Sequence, residues 1–142
     1  MAGINGLGSS LTSALSGALA QTQRLSTSAS NVANAGSTGA IPGTDGTVPT
    51  GKTAAYAPTA TDTVATAGGG TRAVSRPVTP AYIAEYQPDS PQADENGLIA
   101  APNVDPVTET TTQISALSAY KANLAVIRTQ DDMEREAINT VA

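Results

Sequence analysis

Residues Gly46-Thr47-Val48-Pro49-Thr50-Gly51-Lys52-Thr53 carry the spacing of a phosphate-binding loop. In that chemistry, glycines let backbone N–H groups close around the phosphates. The lysine reaches the terminal phosphate oxygens, and the last hydroxyl helps to hold Mg²⁺. The loop must also follow a buried strand and open a helix whose first N–H groups face the anion. Here Gly39 to Asp45 is broken by Pro42 and Gly43, and Pro58 stands five residues beyond Thr53. No apolar run ends in an aspartate that would complete a Mg²⁺ site. The segment reads as a flexible loop, and Lys52→Ala is expected to leave function intact.

Asp94-Glu95-Asn96-Gly97 has part of the spacing of a calcium loop. Gln92 stands where an acid is needed, and Asn103 where the closing carboxylate belongs. A turn with solvated acids is the better reading. The chain has no His and no Cys, which removes the commonest general base and the thiolate nucleophile. No nucleophile–base pair can be assembled from the remainder. Catalysis is not expected, and neither is a cofactor or a metal site.

The elements around these motifs are clearer than the motifs. Ile4, Leu11, Ala18, Leu25 and Val32 recur every seven residues, with Leu7, Ala14, Leu15 and Ala29 beside them. Ile114, Leu117, Leu124, Ile127, Ile138 and Val141 form a second stripe. Such spacing places apolar side chains on one side of a helix. The first helix is expected to start near Ser9 or Ser10, after a loose glycine-rich lead-in, and to run to about Asn34. Gly36 would be its left-handed stop. Asp105 and Pro106 are a cap and a first helical residue, opening a helix that extends to the end of the chain. Between them, Gly and Pro make residues 36–53 a loop. Thr61 to Ala67 and Thr71 to Val78 flank Gly68-Gly69-Gly70 as a hairpin, and Ala81 to Tyr86 reads as a further strand. Asn96-Gly97 is a turn leading into Leu98 and Ile99. The expected fold is mainly α, with two long terminal helices side by side, coiled-coil-like, and a small β-rich middle. The divisions are 1–36, 37–105 and 106–142.

The composition points to burial between chains. Hydrophobic residues make up 39% of the 142, but there is no Trp or Phe and only four Tyr. Aromatic side chains supply much of the buried area of a compact core, so a self-contained globule would be weak. The net charge of −5 argues against a nucleic-acid surface, which needs a basic patch. No run of about 20 apolar residues is present to span a bilayer. The N-terminus lacks the basic and apolar segments of a signal peptide.

Two segments resemble a known family. Ser13-Ala-Leu-Ser-Gly-Ala-Leu-Ala-Gln-Thr-Gln-Arg-Leu25, continuing to the Asn31-Val-Ala-Asn34 motif, is similar to the N-terminal signature of bacterial flagellar axial proteins. Tyr86 to Gly97, Pro102-Asn-Val-Asp105 and Ile114-Ser-Ala through Ala119-Tyr-Lys-Ala-Asn123 resemble the proximal-rod family of the flagellar basal body, the FlgC type. The resemblance implies a non-enzymatic structural subunit of a helical rod that transmits torque and walls the export channel. Its partners would be copies of itself, other rod proteins, the membrane ring and the export gate. It would reach the periplasmic rod through the flagellar type III export apparatus, without a cleaved signal. The candidate interface comprises Leu11, Leu15, Leu25, Asn31 and Asn34, with Ile114, Leu117, Tyr120, Asn123, Leu124 and Ile127. Asn31 and Asn34 also suit helix capping. The competing readings are a self-assembling filament outside any motor, and a nucleotide-binding protein using Gly46 to Thr53.

Overall fold

The computed structural model describes residues 2–141, with side chains for residues 8–140. The side chains of Ile4, Leu7 and Val141 in the expected stripes lie outside the described residues. The elements are α1 (Ala2–Ala33), β1 (Thr59–Ala65), β2 (Thr71–Pro77), β3 (Tyr82–Tyr86), β4 (Leu98–Pro102) and α2 (Pro106–Val141). The protein is thus mainly helical with a small β-rich middle. Its strands form two separate pairs, β1 with β2 and β3 with β4.

Helix α1 starts earlier than expected, with Gly3, Gly6 and Gly8 inside it. Glycine costs a helix only about 1 kcal/mol per residue relative to alanine. No proline interrupts this stretch, so the helical period continues through it. The expected stop is also different, because Gly36 does not adopt a positive φ. Asn34 ends the helix instead. Its Nδ2 donates to the Ser30 carbonyl at 2.9 Å, and the chain leaves through the bond from Ser37 N to Asn34 O at 3.0 Å.

At the start of α2, the expected cap is present. Val107 N and Thr108 Oγ1 donate to the two Asp105 carboxylate oxygens at 3.0 and 2.6 Å. These bonds hold the Asp105 carboxyl below its ordinary value of 3.8, the Thr108 hydroxyl contributing most.

The chain divides into two compact units. One comprises Met1–Ser26, Thr61–Val74 and Thr111–Ala142; the other comprises Thr27–Ala60 and Ser75–Thr110. In the second, β4 is the buried strand. Ile99 and Ala100 are fully enclosed, and β3 pairs with β4 antiparallel from Tyr82↔Pro102 to Tyr86↔Leu98. Gly39 exchanges both backbone hydrogen bonds with Ala100, at 2.9 and 2.8 Å. A Cβ on Gly39 would meet Ala55 N at 2.1 Å and Ala54 C at 2.3 Å, so a side chain there would collide with backbone.

Candidate assembly surfaces

In the unit containing Met1–Ser26 and Thr111–Ala142, α1 and α2 meet through small and polar residues. Ser10 Oγ donates to Gln130 Oε1 at 3.2 Å. A Cβ on Gly17 would stand 2.7 Å from Asn123 Oδ1, so the missing side chain is what admits the Asn123 amide. Ser10 and Gly17 are seven apart, as are Asn123 and Gln130, which keeps both contacts on one face of each helix. Ala14, Ala18, Ala20 and Ala116 are buried here. The β1–β2 turn also rests on α1. Thr71 N donates to Ser16 Oγ at 3.1 Å, and Gly70, at φ +84°, leaves room for that hydroxyl.

In the other unit, Asn31 is 2% exposed. Its Nδ2 donates to Thr59 O at 2.8 Å and to Glu109 Oε1 at 2.6 Å. Its Oδ1 accepts from Tyr56 OH at 3.1 Å and from Thr59 N at 3.2 Å. An amide side chain has two donors and two acceptor sites, and this one uses all four within the chain. Ser28 Oγ adds a bond to Glu109 O at 3.1 Å. Sequence periodicity misses Ser10, Gly17, Ser28, Tyr56, Glu109 and Gln130 because it follows the largest apolar residues. For Ser10, Gly17 and Gln130 the available signal is the seven-residue repeat of polar and small positions.

Those large apolar residues face outward. Leu15, Leu117 and Ile114 are 52%, 45% and 65% exposed. Leu11 and Leu25 are exposed too. Tyr120, Asn123, Leu124 and Ile127 are half-buried, as is Asn34. Burying a leucine or isoleucine side chain contributes about 1.5–3 kcal/mol. The described fold leaves much of that contribution unrealised along both helices.

The segments with chemical spacing are used structurally. Lys52 Nζ donates to the carbonyls of Gln92 (3.3 Å) and Ala93, and Thr53 N donates to Gln92 Oε1 at 2.9 Å. Lys52 therefore fastens the loop to the Gln92–Ala93 segment. No helix follows Thr53, whose neighbour Ala54 instead bridges to Ala40. Asp94 Oδ1 accepts from Asn96 N and Leu98 N, both at 2.8 Å. These bonds close the turn at Gly97 (φ +77°). They also hold the Asp94 carboxyl below its ordinary value, the Leu98 amide contributing most. Among the described residues, no group of three or more acidic side chains is placed to hold a metal ion.

Residues 95–140 match the family described as flagellar basal body rod FlgEFG protein C-terminal. That stretch holds the Asn96-Gly97 turn, β4 and nearly all of α2. The chain is 37% identical over 114 residues to the flagellar basal-body rod protein FlgC of Salmonella typhimurium, covering 80% of this chain and 82% of that protein. The chain belongs to the FlgC family of flagellar basal-body rod proteins. Identity to FlgC of Escherichia coli O6:H1 is also 37% over 114 residues, with the same coverage of the two chains. With FlgC of Yersinia enterocolitica it is 38% over 110 residues, covering 78% of this chain and 79% of that one. As an FlgC-family member, this protein is a structural rod subunit of the flagellar basal body. Among the described residues, no helix is long and apolar enough to cross a membrane.

Proposed function

We propose that the outward apolar residues of α1 and α2 are the contacts by which this subunit packs with copies of itself and with other rod proteins. The observation carrying this reading is the division of roles on each helix. Small and amide residues face the partner helix, while Leu15, Ile114 and Leu117 are left in water. Tyr120, Leu124 and Ile127 complete the contact face, and Leu11 and Leu25 extend it on α1. Asn31 supports that face from within, since its hydrogen bonds are intramolecular, and Asn34 does so by ending α1. The assembled subunit is non-enzymatic. It contributes to the wall of the export channel and carries torque between the membrane ring and export gate and the distal rod. It reaches the periplasm through the flagellar type III apparatus.

Leu117→Asp tests this reading. A buried, unpaired carboxylate costs several kcal/mol, whereas the same residue in the free chain stays in water. The variant is expected to keep the free chain's circular dichroism and to be missing from isolated basal bodies, with motility lost. Normal incorporation would refute the interface. A long homopolymer formed by the pure wild-type chain, with none in basal bodies, would favour a filament outside the motor.

A further inference from the structure

One exposed stripe of α2 changes sign along its length. Lys121, Ala125 and Arg128 are followed by Asp132 and Glu136, at spacings of four, three, four and four, so all five lie along one side of the helix. The first part is a groove lined by Lys121, Leu124, Ala125, Arg128 and Thr129. Lys121 and Arg128 have no hydrogen-bond or ion-pair partner among the described residues, although Asp132 lies one turn from Arg128. An arginine placed before its acid in this way is the less favourable order for a pair within one helix. The neighbouring acids have partners: Asp131 pairs with Arg135 at 2.8 Å, and Glu134 accepts from Gln130 Nε2 at 3.1 Å. Asp132 and Glu136 remain exposed.

A stripe that is basic in one half and acidic in the other matches itself after a shift along the axis. We propose that the Lys121–Thr129 groove seats the Asp132–Glu136 segment of a second copy, with the two α2 helices parallel and displaced by about ten residues, roughly 15 Å. Leu124 and Ala125 supply the apolar floor, and the two cations supply register. The contact joins different patches of identical chains, a heterologous arrangement. The inference rests on the rod-subunit reading and specifies one of its interfaces.

Charge exchange in the flagellated source bacterium tests it, reading the abundance of the chain in isolated basal bodies. Lys121→Glu with Arg128→Glu should lower incorporation by at least about tenfold, because like charges then face each other. Asp132→Lys with Glu136→Lys should do the same. All four changes in one chain should restore incorporation, and so should co-expression of the two double variants, each supplying the other's complement. The absence of native cysteine permits a geometric arm. Thr129→Cys and Asn139→Cys chains should cross-link to each other in the rod, since the two positions are ten residues apart and on the same flank of the parallel pair. Normal incorporation of both double variants overturns the proposal, as does failure of both restorations. Self-cross-linking of Thr129→Cys alone overturns it too, because it places residue 129 opposite itself, as an antiparallel or an unshifted parallel pair does. Absence of the wild-type chain from basal bodies would instead refute the rod-subunit reading.

Discussion

Asn31 Nδ2 donates to Glu109 Oε1 at 2.6 Å, tying α1 to the first turn of α2. The amide does what an apolar residue cannot at this position. It satisfies the Thr59 backbone in both directions and accepts the Tyr56 hydroxyl.

Asn31→Ala is expected to destabilise the free chain by about 2–4 kcal/mol, because buried donors and acceptors lose their partners together. Asn31→Asp should be worse, since it places a second carboxylate against Glu109. Chemical denaturation of the purified chain checks both. A loss below about 0.5 kcal/mol in each case, the scale of an ordinary surface change, would mean that the network is not stabilising.

Two glycines should respond in opposite directions. Gly39→Ala drives a Cβ into the backbone of Ala54 and Ala55 and is expected to cost about 3 kcal/mol, the upper range for overpacking. Gly8 lies within α1, and a Cβ added there would meet nothing within 4 Å. Gly8→Ala should therefore stabilise by about 0.5–1 kcal/mol through helix propensity. Melting temperatures of the pair provide the comparison.

Asp105 makes the start of α2 sensitive to acid. Its carboxyl titrates below 3.8 in the folded chain. The capping contribution is therefore fully present above the unfolded value and is lost as pH falls through the lower folded one. Nuclear magnetic resonance should show the Val107 and Thr108 amides shifting in that acid range. Asp105→Asn should keep the turn formed and abolish the shift. A shift that persists in Asp105→Asn would assign it to another group.

In dilute solution the unit holding most of both helices should open first. Its buried residues are chiefly alanines with Gln130, whereas the other unit encloses Ile99, Pro58 and the Asn31 network. Hydrogen exchange is expected to be fast over residues 8–26 and 111–140, slower over 98–102, and strongly slowed in the helices on assembly, as for segments that order on binding. Slow exchange throughout the dilute chain would show a self-sufficient fold.

Much of this architecture is legible in the sequence because it rests on local chemistry. Asp105-Pro106 marks the start of α2, Gly68-Gly69-Gly70 turns the hairpin, and Asn96-Gly97 turns into β4. Local propensity misplaces the start of α1, because three glycines weigh heavily in it while costing too little to stop a helix. It places the end correctly, near Asn34, but assigns the stop to Gly36, because Asn34 can satisfy the Ser30 carbonyl without a left-handed glycine. The helix seam is hidden for a different reason. Hydrophobic periodicity locates the greasiest face, and here the partner helix lies against Ser10 and Gly17 rather than Leu11 and Leu15. Tyr56 and Glu109 reach Asn31 only through long-range contacts, which no short window displays.

The glycine at position 17, facing an asparagine while the leucines stay outside, separates two kinds of inheritance. The residues by which the helices meet are one set, and the large residues left exposed on their outer faces are another. Changes to the exposed leucines would therefore leave the seam between the helices untouched. Enlarging residue 17 offers no such freedom, because a Cβ there would meet the Asn123 amide at 2.7 Å in the seam itself.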